Sequence, residues 1–328
     1  MDVVLNKERE EINKFSCELF RQILNKKFER NTVVAPVSAN WVLSTILNLA
    51  GHTEENTTPE ISEEVLNSDY FKTANGVWIN LSECPFEIKE EDGNNIFCLG
   101  SFNRETITEI NNWVSENTNR KINHVFDENY ELPPIVVVNA MYFKGKWGCS
   151  FSNAGPYPFF PDYDSFKHVM VDYISSEKRE FKNFSNDDCI AVEIPYHNKR
   201  YSMFIIMPYK IENWRNVLDN LPDIINKINT TEETIETKLY IPKFEIEDAN
   251  NLTPYLNIPE KLKGLVEVNQ KTYIKVDEEG TEAAAATYGI LKSFSFKIDG
   301  LIINRAFIFV IYDKKENVIL FMGAIFKL

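Results

Sequence analysis

The chain has 328 residues, 44% of them hydrophobic, which is enough for a large buried core. Thirty-five Lys and Arg face 49 Asp and Glu, and the resulting net charge of −14 repels phosphate backbones and anionic surfaces, so nucleic acid, membrane and heparin are not expected partners. The five cysteines (Cys17, Cys84, Cys98, Cys149 and Cys189) lack CxxC spacing; with no signal-peptide pattern and no apolar run of about 18 residues, free thiols and a cytoplasmic location are expected.

The first third reads as helical. Ile12, Phe15, Leu19 and Ile23 recur at helical spacing between Glu and Lys. Residues 33–38 are short and β-like, with Pro36 closing them. Ser38 is expected to cap an apolar helix over 41–49 that stops at Gly51. Residues 58–66 suggest another helix with Pro59 in its first turn, and 75–79 a strand. The spacing of Ile107, Ile110, Trp113 and Val114 predicts a helix over 105–118, and the β-branched run 135–143 predicts a buried strand. From residue 188 onward strands dominate, at 189–195, 201–207, 238–244, 272–276, 307–312 and 318–326, the last two forming a hairpin across 313–317. Helices early and hairpin strands late argue for an α+β fold with large, mainly antiparallel sheets. No linker, repeat or low-complexity tract divides the chain, so residues 1–328 are expected to form a single domain.

Catalytic signatures are sparse. His52, His124, His168 and His197 are the four histidines, and none lies in metal-ligand spacing. The chain has no GxSxG, no P-loop and no GxGxxG opening a helix, so neither cofactor nor metal is expected. Cys149 or Cys189 could act as a nucleophile with a distant His, against the plainer reading of buried inert thiols.

Residues 276–287 read Val-Asp-Glu-Glu-Gly-Thr-Glu-Ala-Ala-Ala-Ala-Thr. Local rules give a helix start, with Thr281 as cap and four alanines to propagate. The alanines, however, carry no apolar stripe to dock on a core, and a helix this short is marginal alone. A tract of small residues able to be helix, loop or strand suits a segment that changes state.

Here the residues resemble a known family. Lys275 through Thr287 resemble the hinge of inhibitory serpins. Asn112-Trp113-Val114 with Thr118, Lys121 and Ile122 resembles the INxWVxxxTxxKI segment, and Val138-Asn139-Ala140-Met141-Tyr142-Phe143-Lys144-Gly145-Lys146-Trp147 resembles VNAIYFKGxW. Glu193-Ile194-Pro195-Tyr196, Ile241-Pro242-Lys243-Phe244 and Ile319-Leu320-Phe321-Met322-Gly323 are similar to ELPY, LPKF and ILFMG, and residues 31–51 to the strand and helix at the family's shutter. The resemblance runs through nearly the whole chain.

It implies a serpin fold with an exposed reactive-centre loop at about 278–300, and a monomeric inhibitor of a serine or cysteine protease that is not itself an enzyme. In the implied cycle the loop is cleaved, an acyl-enzyme forms, and the loop inserts as a new sheet strand. The hinge would comprise Glu278, Glu279, Gly280, Thr281, Glu282, Ala283, Ala284, Ala285, Ala286 and Thr287. If Thr281 points inward, so do Ala283, Ala285, Thr287, Gly289 and Leu291, mostly small residues that a sheet can accept. The family spacing puts the reactive bond at Phe294-Ser295, for a chymotrypsin-like or cathepsin-type target, with Ser293-Phe294 and Lys292-Ser293 as alternatives. The resemblance also implies a shutter and breach built on Ser38, Asn139, Trp147 and Gln270. Ala35 stands where the family usually has Ser, and Gln270 where it usually has His, so the shutter must be wired differently. Shortening between Leu66 and Phe71 leaves no room for a cofactor-binding helix, and 244–273 is also short, as in compact poxvirus-type intracellular members.

Overall fold

The computed structural model describes residues 2–49, 70–85, 95–161, 163, 167–281 and 299–328. The expected helix at 58–66 lies outside the described residues, as do Gly51 and residues 282–298. The chain divides into two compact units, one of Met1–Val33, Lys144–Ile246 and Ile274–Leu328, the other of Val34–Phe143 and Glu247–Tyr273.

The elements in chain order are helix α1 (Asp2–Lys26), strand β1 (Thr32–Val34), helix α2 (Pro36–Leu49), strands β2 (Phe71–Asn80) and β3 (Ile96–Leu99), and helix α3 (Arg104–Asn117). Strands β4 (Ile135–Phe143), β5 (Gly145–Lys146), β6 (Phe151–Phe159), β7 (Val169–Ser176), β8 (Arg179–Ser185), β9 (Cys189–Pro195) and β10 (Tyr201–Pro208) follow. Helices α4 (Asn213–Asp219) and α5 (Leu221–Thr230) precede strands β11 (Thr234–Thr237), β12 (Leu239–Pro242), β13 (Phe244–Asn251) and β14 (Val266–Val276). The chain closes with β15 (Gly280–Thr281), β16 (Leu301–Ile302), β17 (Phe307–Asp313) and β18 (Val318–Ile325).

In the first unit a seven-stranded sheet runs β1-β18-β17-β10-β9-β8-β11 and a four-stranded sheet runs β16-β12-β7-β6. The expected hairpin is present, with β17 antiparallel to β18 from Phe307↔Ile325 to Asp313↔Val318. All eight residues of β18 and all seven of β17 are buried, and α1 packs against β18. Gly323 is required by close approach, because a Cβ there would lie 2.3 Å from the Phe309 ring.

In the second unit β3, β2, β4 and β14 are neighbours in that order, and β13 also pairs with β14. β2 and β4 are antiparallel, whereas β4 and β14 are parallel from Ile135↔Val266 to Tyr142↔Tyr273. All nine residues of β4 are buried. Its run lacks alternation because both faces are covered. Val136, Val138, Ala140 and Tyr142 join a cluster with Ile107, Ile110 and Val114 of α3, while on the other face Asn139 meets Ser38 of α2. Helix α3 starts one residue before the predicted 105, because the Asn103 side chain accepts from the Glu105 and Thr106 amides and Thr106 reciprocates.

Three expectations need correction. Ser38 does not cap a helix over 41–49: α2 begins at Pro36, which suits a first helical position, and Ser38 lies inside its first turn. Helices α4 and α5 occupy 213–230, where the strand-rich reading has none. The strand expected at 272–276 is the end of β14, which starts six residues earlier.

Candidate functional site

In the second unit, buried amides connect α2, β2, β4 and β14. Ser38 and Asn139 are fully buried, Gln270 is 1% exposed and Asn75 is 7% exposed. The Asn139 amide donates to Ser38 Oγ and to Asn75 Oδ1, and Ser38 Oγ donates to Asn75 Oδ1 at 3.1 Å. Gln270 completes the set. Its Oε1 accepts from the Ala35 backbone N–H at 2.9 Å, and its Nε2 donates to the Ala35 carbonyl at 3.0 Å and to Asn139 Oδ1 at 2.6 Å. Ala35 has no side-chain hydroxyl to offer, and Gln270 bonds its backbone instead. The sequence reading named Ser38, Asn139 and Gln270 and missed Asn75. The signal for it was a carboxamide in the otherwise largely apolar strand β2, opposite Asn139 in the β2–β4 register.

In the first unit, β14 ends at Val276 and the chain turns back. Asp277 makes this turn: its backbone N–H donates to the Gly280 carbonyl at 3.0 Å, and its carboxylate accepts from the Glu279 N–H at 3.1 Å. β15 then pairs on both sides, Thr281 with Val276, and Gly280 and Thr281 with Lys146 and Gly145 of β5. The fit at Gly280 is close, since a Cβ there would lie 1.9 Å from the Gly145 carbonyl oxygen.

Aromatic side chains hold this turn. Trp147 stacks on Tyr196 at 4.9 Å between ring centroids, its indole N–H donates to the Asp277 carbonyl at 2.9 Å, and its backbone N–H donates to the Glu279 carbonyl at 3.1 Å. Thr281 is fully buried and shares a 2.7 Å hydrogen bond with the Tyr196 hydroxyl. Burial pushes the Tyr196 phenol well above the ordinary tyrosine range, so it stays neutral. Lys243 forms an ion pair with Glu278. Thus Glu278, Glu279, Gly280, Thr281 and Trp147 lie together. Tyr196 and Lys243, quoted for their motifs, turn out to be contacts of the same turn. Glu282, Ala283, Ala284, Ala285, Ala286, Thr287, Lys292, Ser293, Phe294 and Ser295 lie outside the described residues.

Burial raises the pKa of both candidate nucleophiles. Burial pushes the Cys189 thiol up to about 12, with Asp188 adding to the effect. Burial also raises Cys149, against an opposing pull from Arg179. Neither is activated as a thiolate. All five cysteines are free thiols. Among the described residues no helix is long and apolar enough to cross a membrane.

Residues 101–328 match the model of the family described as Serpin (serine protease inhibitor). The chain belongs to the serpin family. Among relatives of this serpin, a leukocyte elastase inhibitor of Xenopus tropicalis is 28% identical, with 94% of this chain and 96% of the relative covered. A serine protease inhibitor of Cyanea capillata is 29% identical over 77% of this chain and 75% of its own. Among solved structures, a serpin of the insect Tenebrio molitor superposes with a TM-score of 0.78 at 22% identity, covering 98% of each chain. Thyroxine-binding globulin complexed with thyroxine gives 0.76 at 18% identity, covering 98% of this serpin and 99% of that chain. At such identities the structural likeness concerns the fold, and the α+β serpin fold expected from the sequence is the one observed.

Proposed function

We propose that this serpin inhibits an endopeptidase as a one-use pseudo-substrate, with residues 1–328 working as a single monomeric domain. The protease nucleophile attacks the carbonyl carbon before the reactive bond, the bond's amine leaves, and the acyl group stays on the enzyme. The freed hinge segment then runs on from Thr281 as a new strand between β4 and β14, carrying the protease with it. Ala283, Ala285 and Thr287 follow Thr281 at alternate positions and are small enough to enter without overpacking. No cofactor enters the cycle, because strand insertion drives it. Five free thiols suit a reducing compartment such as the cytoplasm.

The observation that carries this reading is β15. Its two residues lie antiparallel to the end of β14 and, on the other side, pair with β5, which follows β4 after Lys144. They are the natural first rungs of an inserting strand. Relatives named as a leukocyte elastase inhibitor and a serine protease inhibitor support the inhibitory role.

The reactive bond is proposed at Phe294-Ser295, favouring a chymotrypsin-like or cathepsin-type target, with Ser293-Phe294 and Lys292-Ser293 as the alternatives. Incubation with a panel of serine and cysteine proteases, followed by denaturing electrophoresis, tests both parts. A complex that survives SDS supports inhibition, and mass spectrometry of the released peptide assigns the bond. Clean cleavage near residue 294 with every protease and no complex would leave a serpin-fold binding protein instead.

A further inference from the structure

Where β2 ends, α3 begins and the chain returns to β4, the second unit has an open cleft of about 390 Å³. Asn80 forms part of its wall and is 3% exposed. The Asn80 carboxamide oxygen is occupied, accepting from the Ser82 N–H at 3.2 Å and the Ser82 hydroxyl at 2.7 Å. Among the described residues its Nδ2 amide has no hydrogen-bond partner, which leaves a donor free on a residue that lines the cleft. Glu83, Glu128 and Glu131 line the same cleft against one guanidinium, that of Arg104, and none of the three carboxylates has an ion-pair partner among the described residues. Tyr130 supplies a fixed ring. Its hydroxyl donates to Glu267, its ring packs on Phe126 at 4.8 Å between centroids, and it remains 37% exposed.

A donor for a carbonyl, an excess of carboxylates and a fixed aromatic face form a complementary set. We propose that this cleft binds an arginine-bearing peptide segment of a protein partner. The peptide carbonyl accepts from Asn80, and the guanidinium reaches Glu128 and Glu131 while lying over Tyr130. Arginine fits better than lysine, because a planar guanidinium can stack on the ring and bond a carboxylate through two N–H groups at once. An acidic segment is disfavoured by the same carboxylates. This site is independent of the reactive loop and of the inhibitory reading.

The test uses the isotope-labelled full chain, titrated to millimolar concentrations with N-acetyl-arginine amide or with N-acetyl-glutamate amide, followed by NMR. The arginine probe is expected to shift the Asn80 side-chain amide pair and the Tyr130 ring signals, with an affinity that falls as salt is added. The exposed double variant Glu128→Gln, Glu131→Gln should weaken it about fivefold, the effect of losing two screened contacts, while its thermal midpoint stays unchanged. Asn80 signals unmoved by the arginine probe, or moved as far by the glutamate probe, overturn the proposal. So does full binding by the double variant.

Discussion

Gln270 makes three buried hydrogen bonds that no leucine of similar size could replace. Gln270→Leu would leave the Ala35 N–H and Asn139 Oδ1 without their donor or acceptor partners inside the second unit. Stranding two buried groups costs about 3 kcal/mol in total. The expected outcome is a clear fall in the urea midpoint, with partial recovery in Gln270→His, since an imidazole can accept at one nitrogen and donate from the other. An unchanged midpoint in Gln270→Leu would show that the amide network contributes nothing to stability. The sequence marked Gln270 as a departure from the family pattern, yet its bonding was not legible there. The partners Ala35 and Gln270 are 235 residues apart, and no local rule pairs a glutamine with a backbone that distant.

The two-residue strand β15 concentrates the proposed hinge chemistry on Thr281, which is fully buried against Tyr196. Thr281→Arg would place a long, charged side chain where no charge can be buried without a partner. Insertion should then stall after cleavage, so that the protease releases cut serpin and escapes. Titration of a protease found to form the complex measures this as a severalfold rise in the serpin consumed per enzyme inhibited. Thr281→Val keeps the volume and loses only the hydroxyl bond, and should retain most of the complex. A wild-type complex yield from Thr281→Arg would remove Thr281 from the mechanism. Other elements differed in how plainly the sequence announced them. β4 and β9 match their expected limits because β-branched runs bounded by breakers leave little choice. β6 went unread because Pro156 and Pro158 argue against a strand; it is the edge of its sheet, where a missing N–H costs little. β14 is legible only in its second half because the buried Gln270 interrupts the apolar alternation of its first half. Helix α5 did carry a signal, with Leu221, Ile224, Ile225 and Ile228 buried at helical spacing.

Buried tyrosines contribute to the alkaline limit of the molecule, alongside the buried thiols of Cys17 and Cys189. Burial pushes Tyr173, Tyr196 and Tyr312 well above their ordinary value, and burial followed by the Glu267 carboxylate raises Tyr130 to about 12. In the unfolded chain tyrosines ionise near pH 10. Above that pH the folded state therefore holds more protons than the unfolded one, and stability falls as pH rises. The contribution is complete below about pH 10 and is lost as pH rises through 12 and beyond, with the urea midpoint and phenolate absorbance moving together. Phenolate appearing in the buried set near pH 10, with the fold intact, would contradict it. Loop cleavage should act in the opposite direction. β4 and β14 now share one parallel ladder over eight residue pairs. A strand entering between them from β15 would run antiparallel to both, replacing one parallel ladder with two antiparallel ones, the slightly more stable pairing. The net gain is of the order of 10 hydrogen bonds at about 1 kcal/mol each. At about 2 °C per kcal/mol, the melting midpoint should rise by roughly 20 °C after cleavage near residue 294. Calorimetry before and after limited proteolysis measures this directly. If the cut chain melts where the intact chain does, no strand has entered, and the inhibitory cycle proposed for this serpin does not operate.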